Sequence, residues 1–331
     1  MNTNTPIAVY GATGHTGRFV VAELRRRGLP AILSGRSATR LTQLATQHEQ
    51  VTVRPADVSD PAALDRALDG AAAVINTAGP FALTAGPVAD AALRAGIPYL
   101  DVAAEIEANA ATFARHQNAT TPVIPAMAFY GGLGDLLITA AMGDWTEADE
   151  AHIAYGLSSW HPTPGTRLAG QVSHERRAGR RVRFTGGTLE YHDDPLTQQD
   201  WHFPEPLGRR PVMAEFTMAD VVTVPSHLAI PEVRTYMSVE AARDLATGDT
   251  PAPTPVDDLG RSGQQFVVDA RVRKNGAERR ATASGQDIYA ITAPLVVEAA
   301  QRTLTGRTRA TGVASAGAIF DAPDFLRALG L

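Results

Sequence analysis

The chain has 331 residues, of which 44% are apolar and 20% charged, with a formal net charge of −5. That length suits two domains, or one large domain with an insertion, and the composition is that of an ordinary globular protein rather than a disordered one. The acidic balance leaves no electrostatic footprint for nucleic acid or an anionic membrane, and the lack of cysteine removes disulfides, thiolate metal sites and cysteine nucleophiles.

The opening MNTNTPIAVY has neither the charged start nor the apolar centre of a signal peptide. The longest uncharged stretch, Gly70 to Ala89, is half alanine and glycine and is broken by Asn76 and Pro80. It falls short of the ~20 strongly apolar residues that a spanning helix needs. The expectation is a cytoplasmic protein with no membrane and no nucleic-acid partner. Lysine occurs once, as Lys274 in a turn-like KNG, so lysine-dependent chemistry has a single candidate.

Along residues 1–143, short apolar runs at 7–10, 31–34, 51–54, 72–76, 99–102 and 123–128 alternate with stretches of helical spacing. Near-continuous apolar strands separated by helices predict a doubly wound parallel α/β sheet, Rossmann-like, covered on both faces. The first of these runs leads directly into Gly11-x-x-Gly14-x-x-Gly17 and then into a helix. Gly11 permits the tight exit from the strand, Gly14 lets a pyrophosphate approach bare backbone, and Gly17 lets the helix pack close. The helix start offers free N–H groups and partial positive charge to phosphate. Thr13, His15 and Thr16, lying between the glycines, join them as expected coenzyme contacts.

The second strand ends at SGRS, with Ser34, Arg36 and Ser37 where the adenosine ribose should lie. An acid there would favour NAD by bonding the ribose 2′-hydroxyl, whereas a guanidinium suits a 2′-phosphate. Arg36, with Ser37 and Arg40 nearby, therefore predicts NADP. Asp57, after the third strand, either touches the adenine edge or caps a turn, with Asp60-Pro61 opening the next helix. After the fourth strand, Asn76, Thr77, Ala78, Gly79 and Pro80 form a loop of small and hydrogen-bonding residues over the coenzyme. Asp101 and Glu105 follow the fifth strand on the same rim, Asp101 as a catalytic candidate or a loop bond, Glu105 as a rim acid or a first-turn helix residue.

Beyond Gly143 the helical spacing fades. HIAYGL, VRFTGGTLEYH and QFVVDARVRK read as strands, the last turning at Asn275-Gly276 into ERRATAS as a type I′ hairpin. TPAPTP (250–255) reads as a loop. The expected layout is a coenzyme domain over 1–143, a mainly antiparallel substrate and dimerisation domain over 144–286, and C-terminal helices over 287–331. Pro294 starts a helix or kinks a longer one.

YGATGHTGR (10–18), SGR (34–36), NTAGPF (76–81), YLDVAAE (99–105) and VIPAMAFYGGLGDLL (123–137) together resemble the saccharopine dehydrogenase NADP-binding family, which includes trans-acting enoyl reductases. The likeness covers roughly the first 140 residues. It departs from the family at Ala104, where glycine is common, and at Gly134, where proline is frequent. The resemblance implies NADP, a middle antiparallel sheet that can pair as a homodimer, and terminal helices folded back on the coenzyme domain.

For chemistry, Tyr130 in the glycine-rich turn is the expected proton donor, the alternative being an aromatic packed at the domain junction. No tyrosine precedes a lysine by four residues, which excludes the Tyr-x-x-x-Lys mechanism of short-chain dehydrogenases. The histidines lack zinc spacing, so no metal is expected. RRAGRRVR (176–183) is either a solvated face or a contact for an acidic acyl carrier. The functional expectation is an NADPH-dependent oxidoreductase reducing a C=C or C=N bond in a small or carrier-linked metabolite. The competing one is an NADP sensor without turnover, similar to the NmrA-like proteins.

Overall fold

A computed structural model describes residues 5–331. Its first part alternates strand and helix: β1 (Ile7–Tyr10), α1 (His15–Arg26), β2 (Ala31–Ser34), α2 (Ala38–Ala45), β3 (Val51–Val53), α3 (Pro61–Leu68), β4 (Ala73–Asn76), α4 (Phe81–Arg94), β5 (Tyr99–Asp101), α5 (Ile106–Arg115) and β6 (Val123–Ile124). The six strands are parallel in the order β3-β2-β1-β4-β5-β6. Connections leave β1 in one direction across the sheet and β4 in the other, so a crevice opens beyond the carboxyl ends of β1 and β4. Local chemistry sets the helix starts: Ser37 accepts the Arg40 amide to begin α2, and Asp60, followed by Pro61, accepts that of Ala63 to begin α3.

The remainder follows a wide turn at Phe129–Leu133. It comprises α6 (Gly134–Met142), β7 (Glu150–Leu157), α7 (Pro164–Arg176), β8 (Arg181–Thr185), β9 (Thr188–His192), β10 (Gln198–His202), β11 (Arg209–Ala214), α8 (Asp220–Thr223), β12 (Glu232–Ser238), α9 (Val239–Ala246), β13 (Gln265–Lys274), β14 (Ala277–Gln286), α10 (Ile288–Leu304), α11 (Ala316–Ile319) and α12 (Ala322–Leu329). Strands β7 to β14 form one eight-stranded sheet, antiparallel except that β12 runs parallel to β7. The β13–β14 hairpin turns at Asn275 and Gly276, both at positive φ, as a type I′ turn requires.

Alternate residues of the first sheet feed two cores. Ala8, Tyr10, Ile32 and Val74 pack with Leu64, Leu68, Val88 and Ala92 of α3 and α4. Ile7, Val9, Leu33 and Ile75 pack with α1, α2 and α10, in a core that continues into Ile153, Val268 and Val272 of the second sheet. The two sheets thus share one apolar interior, with α6 lying against β13 and β14.

Two local expectations change. The run at 123–128 yields only a two-residue strand: Pro125 lacks a donor, Ala126 turns to φ +55°, and its amide bonds Asp101 Oδ1 at 2.8 Å. Helix α7 has no counterpart in the expected layout, because it buries Ser173 alone and so lacks an apolar stripe. Of the two places expected for Pro294, the one inside a longer helix is observed, within α10.

Helix α10 lies along α1. Glu298 accepts Arg27 Nη1 at 2.6 Å and Arg302 Nε at 2.8 Å, while Glu23 accepts Arg27 Nε at 2.7 Å. Arg302 is almost wholly enclosed. Removing one partner of such a cluster strands a desolvated charge, so Glu298→Ala is expected to cost about 3 kcal/mol in chemical denaturation at neutral pH. Burial pushes the Glu298 carboxyl up, but its bonds to Arg302 and Arg27 outweigh that and hold it below the ordinary range. A depressed folded-state value gives stability that is present above the unfolded value and lost as pH falls through the folded one. The deficit of the variant should therefore shrink in acid.

Candidate active site

The crevice is built around the exit of β1. Gly11 leaves the strand at φ +87°, and a Cβ there would lie 2.8 Å from the Ala78 amide nitrogen. A Cβ on Gly17 would come within 2.3 Å of the Gly11 carbonyl, so α1 can approach only without one. Gly14 is exposed and begins α1 with no side-chain cap among the described residues. The first-turn amides of that helix, with Thr13 and Thr16 beside them, are therefore open to an anion. The carbonyl of Ser34 accepts both the Gly11 amide (2.9 Å) and the Ala12 amide (3.2 Å), which stitches the end of β2 to the glycine turn.

Arg36 extends from that junction into solvent, with no ion pair among the described residues. Tyr10 and Asp57 are its charged or ionisable neighbours. Asp57 accepts the Ser59 amide (2.9 Å) and hydroxyl (2.7 Å), and these bonds, then Arg36, hold its carboxyl below the usual range. Of its two expected roles, the turn is the one these contacts show. Ser37 spends its hydroxyl on the start of α2, while the Ser34 hydroxyl is buried without a partner among the described residues.

On the other side of the crevice, Thr77 donates its amide (2.8 Å) and hydroxyl (3.0 Å) to the Tyr10 carbonyl. Asn76 is fully buried: its Nδ2 donates to Tyr99 Oη at 3.1 Å and Thr84 Oγ1 at 3.3 Å, and its Oδ1 accepts the Ala78 amide at 3.0 Å. It shapes the loop from beneath rather than meeting a ligand directly. Gly79 is exposed, and Ala169 of α7 lies across from it.

Asp101 corrects an expectation. Its carboxylate is fully enclosed and accepts the amides of Ala103 (3.0 Å) and Ala126 (2.8 Å) and the hydroxyl of Tyr99 (2.9 Å). With both oxygens engaged, it anchors the loop that replaces the end of β6, the loop-bond role, rather than offering a free carboxylate to the crevice. Glu105 differs too: it precedes α5, but its carboxylate reaches across to α4, accepting the amides of Phe81 (3.0 Å) and Ala82 (2.8 Å).

Tyr130 lies in the turn before α6, its ring against Phe129, Tyr155 and Trp160 at centroid separations of 4.8, 4.9 and 5.2 Å. Its hydroxyl is buried and unpartnered among the described residues. Burial, then the nearby Tyr289 and Asp220, pushes its ionisation well above the ordinary range, so it remains a protonated phenol at neutral pH. Behind it, Tyr155 donates to Asp220 at 2.9 Å. A Cβ on Gly134 would lie 2.0 Å from Asp220 Oδ1 and 2.7 Å from the Tyr155 hydroxyl. The departure from the family pattern at Gly134 thus makes room for a buried tyrosine–aspartate pair.

One participant gave no signal in the sequence. Tyr289, in the first turn of α10, sets its ring edge-on to His15 at 5.0 Å. Its hydroxyl accepts from Trp160 Nε1 and the Thr163 amide, each at 3.3 Å, and bonds Thr166 Oγ1 at 2.9 Å. The rings of His15, Tyr289, Trp160 and Tyr130 therefore form a continuous wall from the glycine turn to the domain junction. No periodicity or local motif marks Tyr289, because its partners come from two distant segments, His15 and residues 160–166.

The arginine run at 176–183 is not a uniform basic face. Arg177 reaches Glu107 at 3.5 Å and Ser173 at 2.8 Å, and Arg183 pairs with Glu190, Asp194 and Glu215. Arg176 and Arg180 remain exposed. Among the described residues no helix is long and apolar enough to cross a membrane.

A family model and curated relatives match part of the chain. Residues 11–128 match the NAD(P)H-binding family model. The chain is 32% identical over 117 residues to a saccharopine dehydrogenase-like oxidoreductase of Rattus norvegicus, covering 30% of this chain and 27% of that protein. It is 32% identical over 106 residues to the trans-acting enoyl reductase of Mycobacterium bovis, covering 30% and 25%. The match thus spans about a quarter of the length of these curated relatives. Among solved structures, an NADPH-dependent quinone oxidoreductase of Escherichia coli aligns over 29% of this chain and 34% of its own, with 31% identity and a TM-score of 0.25. Residues 11–128 thus match an NAD(P)H-binding domain, in a chain similar over 117 residues to a saccharopine dehydrogenase-like oxidoreductase.

Proposed function

We propose that the chain is an NADPH-dependent reductase that adds hydride to a C=C or C=N bond of a small or carrier-linked metabolite. The observation that carries this reading is the pairing of the α1 start, uncapped among the described residues and set at the reversal of strand order between β1 and β4, with the Arg36 guanidinium just past the adjacent β2, which has no ion pair among those residues. The open amides of α1, with Thr13 and Thr16, would hold the pyrophosphate. Arg36, backed by Ser37, would take the 2′-phosphate, and the Thr77–Pro80 loop would lie along the nicotinamide half. The bound coenzyme supplies a hydride from the nicotinamide C4. This chain's own task is then to orient the acceptor and to deliver one proton to the atom that takes up the electron pair of the reduced double bond.

Tyr130 suits that second task. It stays protonated, it ends the aromatic wall that starts at His15, and its hydroxyl has no partner among the described residues to compete with a substrate. The outer face of the large sheet is the surface on which a homodimer would form, following the resemblance.

The test has two stages. NADPH titration of the purified protein should show binding that NADH does not match. A panel of enoyl, imine and ketone acceptors, followed by loss of NADPH absorbance, should then give turnover with a member of the first two classes. Binding without turnover across the panel would favour the sensor reading, and no binding would remove the coenzyme site altogether.

A further inference from the structure

Two helix starts face the crevice, and the structure treats them differently. The start of α1 is open, whereas that of α4 is closed from within by Glu105. The Glu105 side chain leaves the loop after β5, is only 6% exposed, and gives one oxygen to each of the first two amides of α4. Immediately before those amides stands the Thr77–Pro80 loop. Its leading end is fixed to the Tyr10 carbonyl and to Asn76. Glu105 fixes its trailing end. The loop is thus held at both ends, and one of the two holds is an acidic side chain from the loop after the neighbouring strand β5.

Building on the coenzyme reading above, we propose that Glu105 is a positioning residue, which as a carboxylate holds the Thr77–Pro80 loop in the shape that receives the nicotinamide half of NADPH. A carboxylate offers acceptors to both amides and complements the positive end of α4. A protonated or amidated side chain turns one of those contacts into donor against donor. Because α4 is already capped by an internal anion, the coenzyme phosphates have α1 as their helix start.

Burial pushes the Glu105 carboxyl up to about 7, against the pull of the Phe81 and Ala82 amides. The other charges facing it are Asp101 from β5 and Glu107 from α5, which both push the same way, with Arg177 of α7 reaching Glu107. The carboxylate is the form above that value, so the hold on the loop is present in mild alkali and is lost as pH falls through about 7.

The experiment compares NADPH with adenosine 2′,5′-bisphosphate, which carries the same adenine half and 2′-phosphate but no nicotinamide. Both are titrated against the wild-type chain and Glu105→Gln by fluorescence or calorimetry at mildly acidic and mildly alkaline pH. For the wild type, the ratio of NADPH to bisphosphate affinity should fall about 5- to 10-fold from the alkaline to the acidic condition. In Glu105→Gln that ratio should already be lowered by about tenfold and be flat with pH, while bisphosphate affinity stays within about twofold of wild type. A generally loosened fold would instead weaken both ligands together. A ratio that is constant with pH in the wild type, or unchanged in the variant, overturns the proposal. Should the variant not fold, the wild-type pH series decides alone. Failure of the wild type to bind the bisphosphate or NADPH at any pH would instead sink the coenzyme reading on which this rests.

Discussion

Arg36→Ala is expected to weaken NADPH binding about 10- to 100-fold while leaving NADH binding within about twofold. A hydrogen bond to a charged partner is worth roughly 1.5–3 kcal/mol, and 1.4 kcal/mol is a factor of ten. Arg36 carries no internal partner among the described residues, so its removal strands no buried acid and the fold should be untouched. What it does neutralise is the field of Asp57, whose carboxylate lies close by and stays ionised because Ser59 donates to it twice. Without Arg36, a dianionic 2′-phosphate would approach that acid uncompensated. Asp57→Asn in the alanine background should therefore recover part of the lost NADPH affinity, and raising the salt concentration should shrink the difference between wild type and variant. Parallel titrations with the two coenzymes provide the measurement. A loss shared equally by NADPH and NADH would mean that Arg36 shapes the pocket rather than choosing the coenzyme.

The parts of this protein that were legible in the sequence are those specified locally. Gly11 and Gly17 stand where backbone and neighbouring side chains leave no room for a Cβ, and that requirement writes itself as spacing. The parallel strands are short, apolar and separated by helices, so their order of appearance already implies a covered sheet. The Asn275-Gly276 turn needs positive φ twice, and its residues say so.

What was not legible depends on partners far apart in the chain. Asp101 looks like any rim carboxylate until the Ala126 amide, from the next strand's end, is seen to occupy it. Glu105 reads as a first-turn residue of its own helix, yet its side chain serves α4. Tyr289 acquires meaning only because α10 folds back along α1 and brings it to His15. Helix α7 leaves no apolar stripe, since it rests against α4 and α5 burying Ser173 alone. The lost ends of strands and the hidden carboxylates are two sides of one arrangement, in which side chains rather than ladder bonds satisfy the backbone around the crevice.

Tyr130→Phe separates packing from chemistry by sign. The hydroxyl is enclosed without a partner among the described residues, a state that costs the fold on the order of 1–3 kcal/mol. Phenylalanine keeps the contacts with Phe129, Tyr155 and Trp160 and removes the unsatisfied group. Thermal or chemical denaturation should therefore find the variant as stable as the wild type, or more stable by about 1 kcal/mol. If the phenol delivers the proton, turnover on an accepted substrate should fall by about 10²- to 10⁴-fold, the usual contribution of a positioned acid, with NADPH affinity unchanged. Because burial holds the phenol protonated well beyond neutral pH, this loss should be the same from mildly acidic to mildly alkaline solution. A residue retained only for packing would gain stability on losing its hydroxyl and lose no activity. A native tyrosine that gives up stability for an unpaired hydroxyl, and whose removal silences turnover, is one whose partner arrives with the substrate.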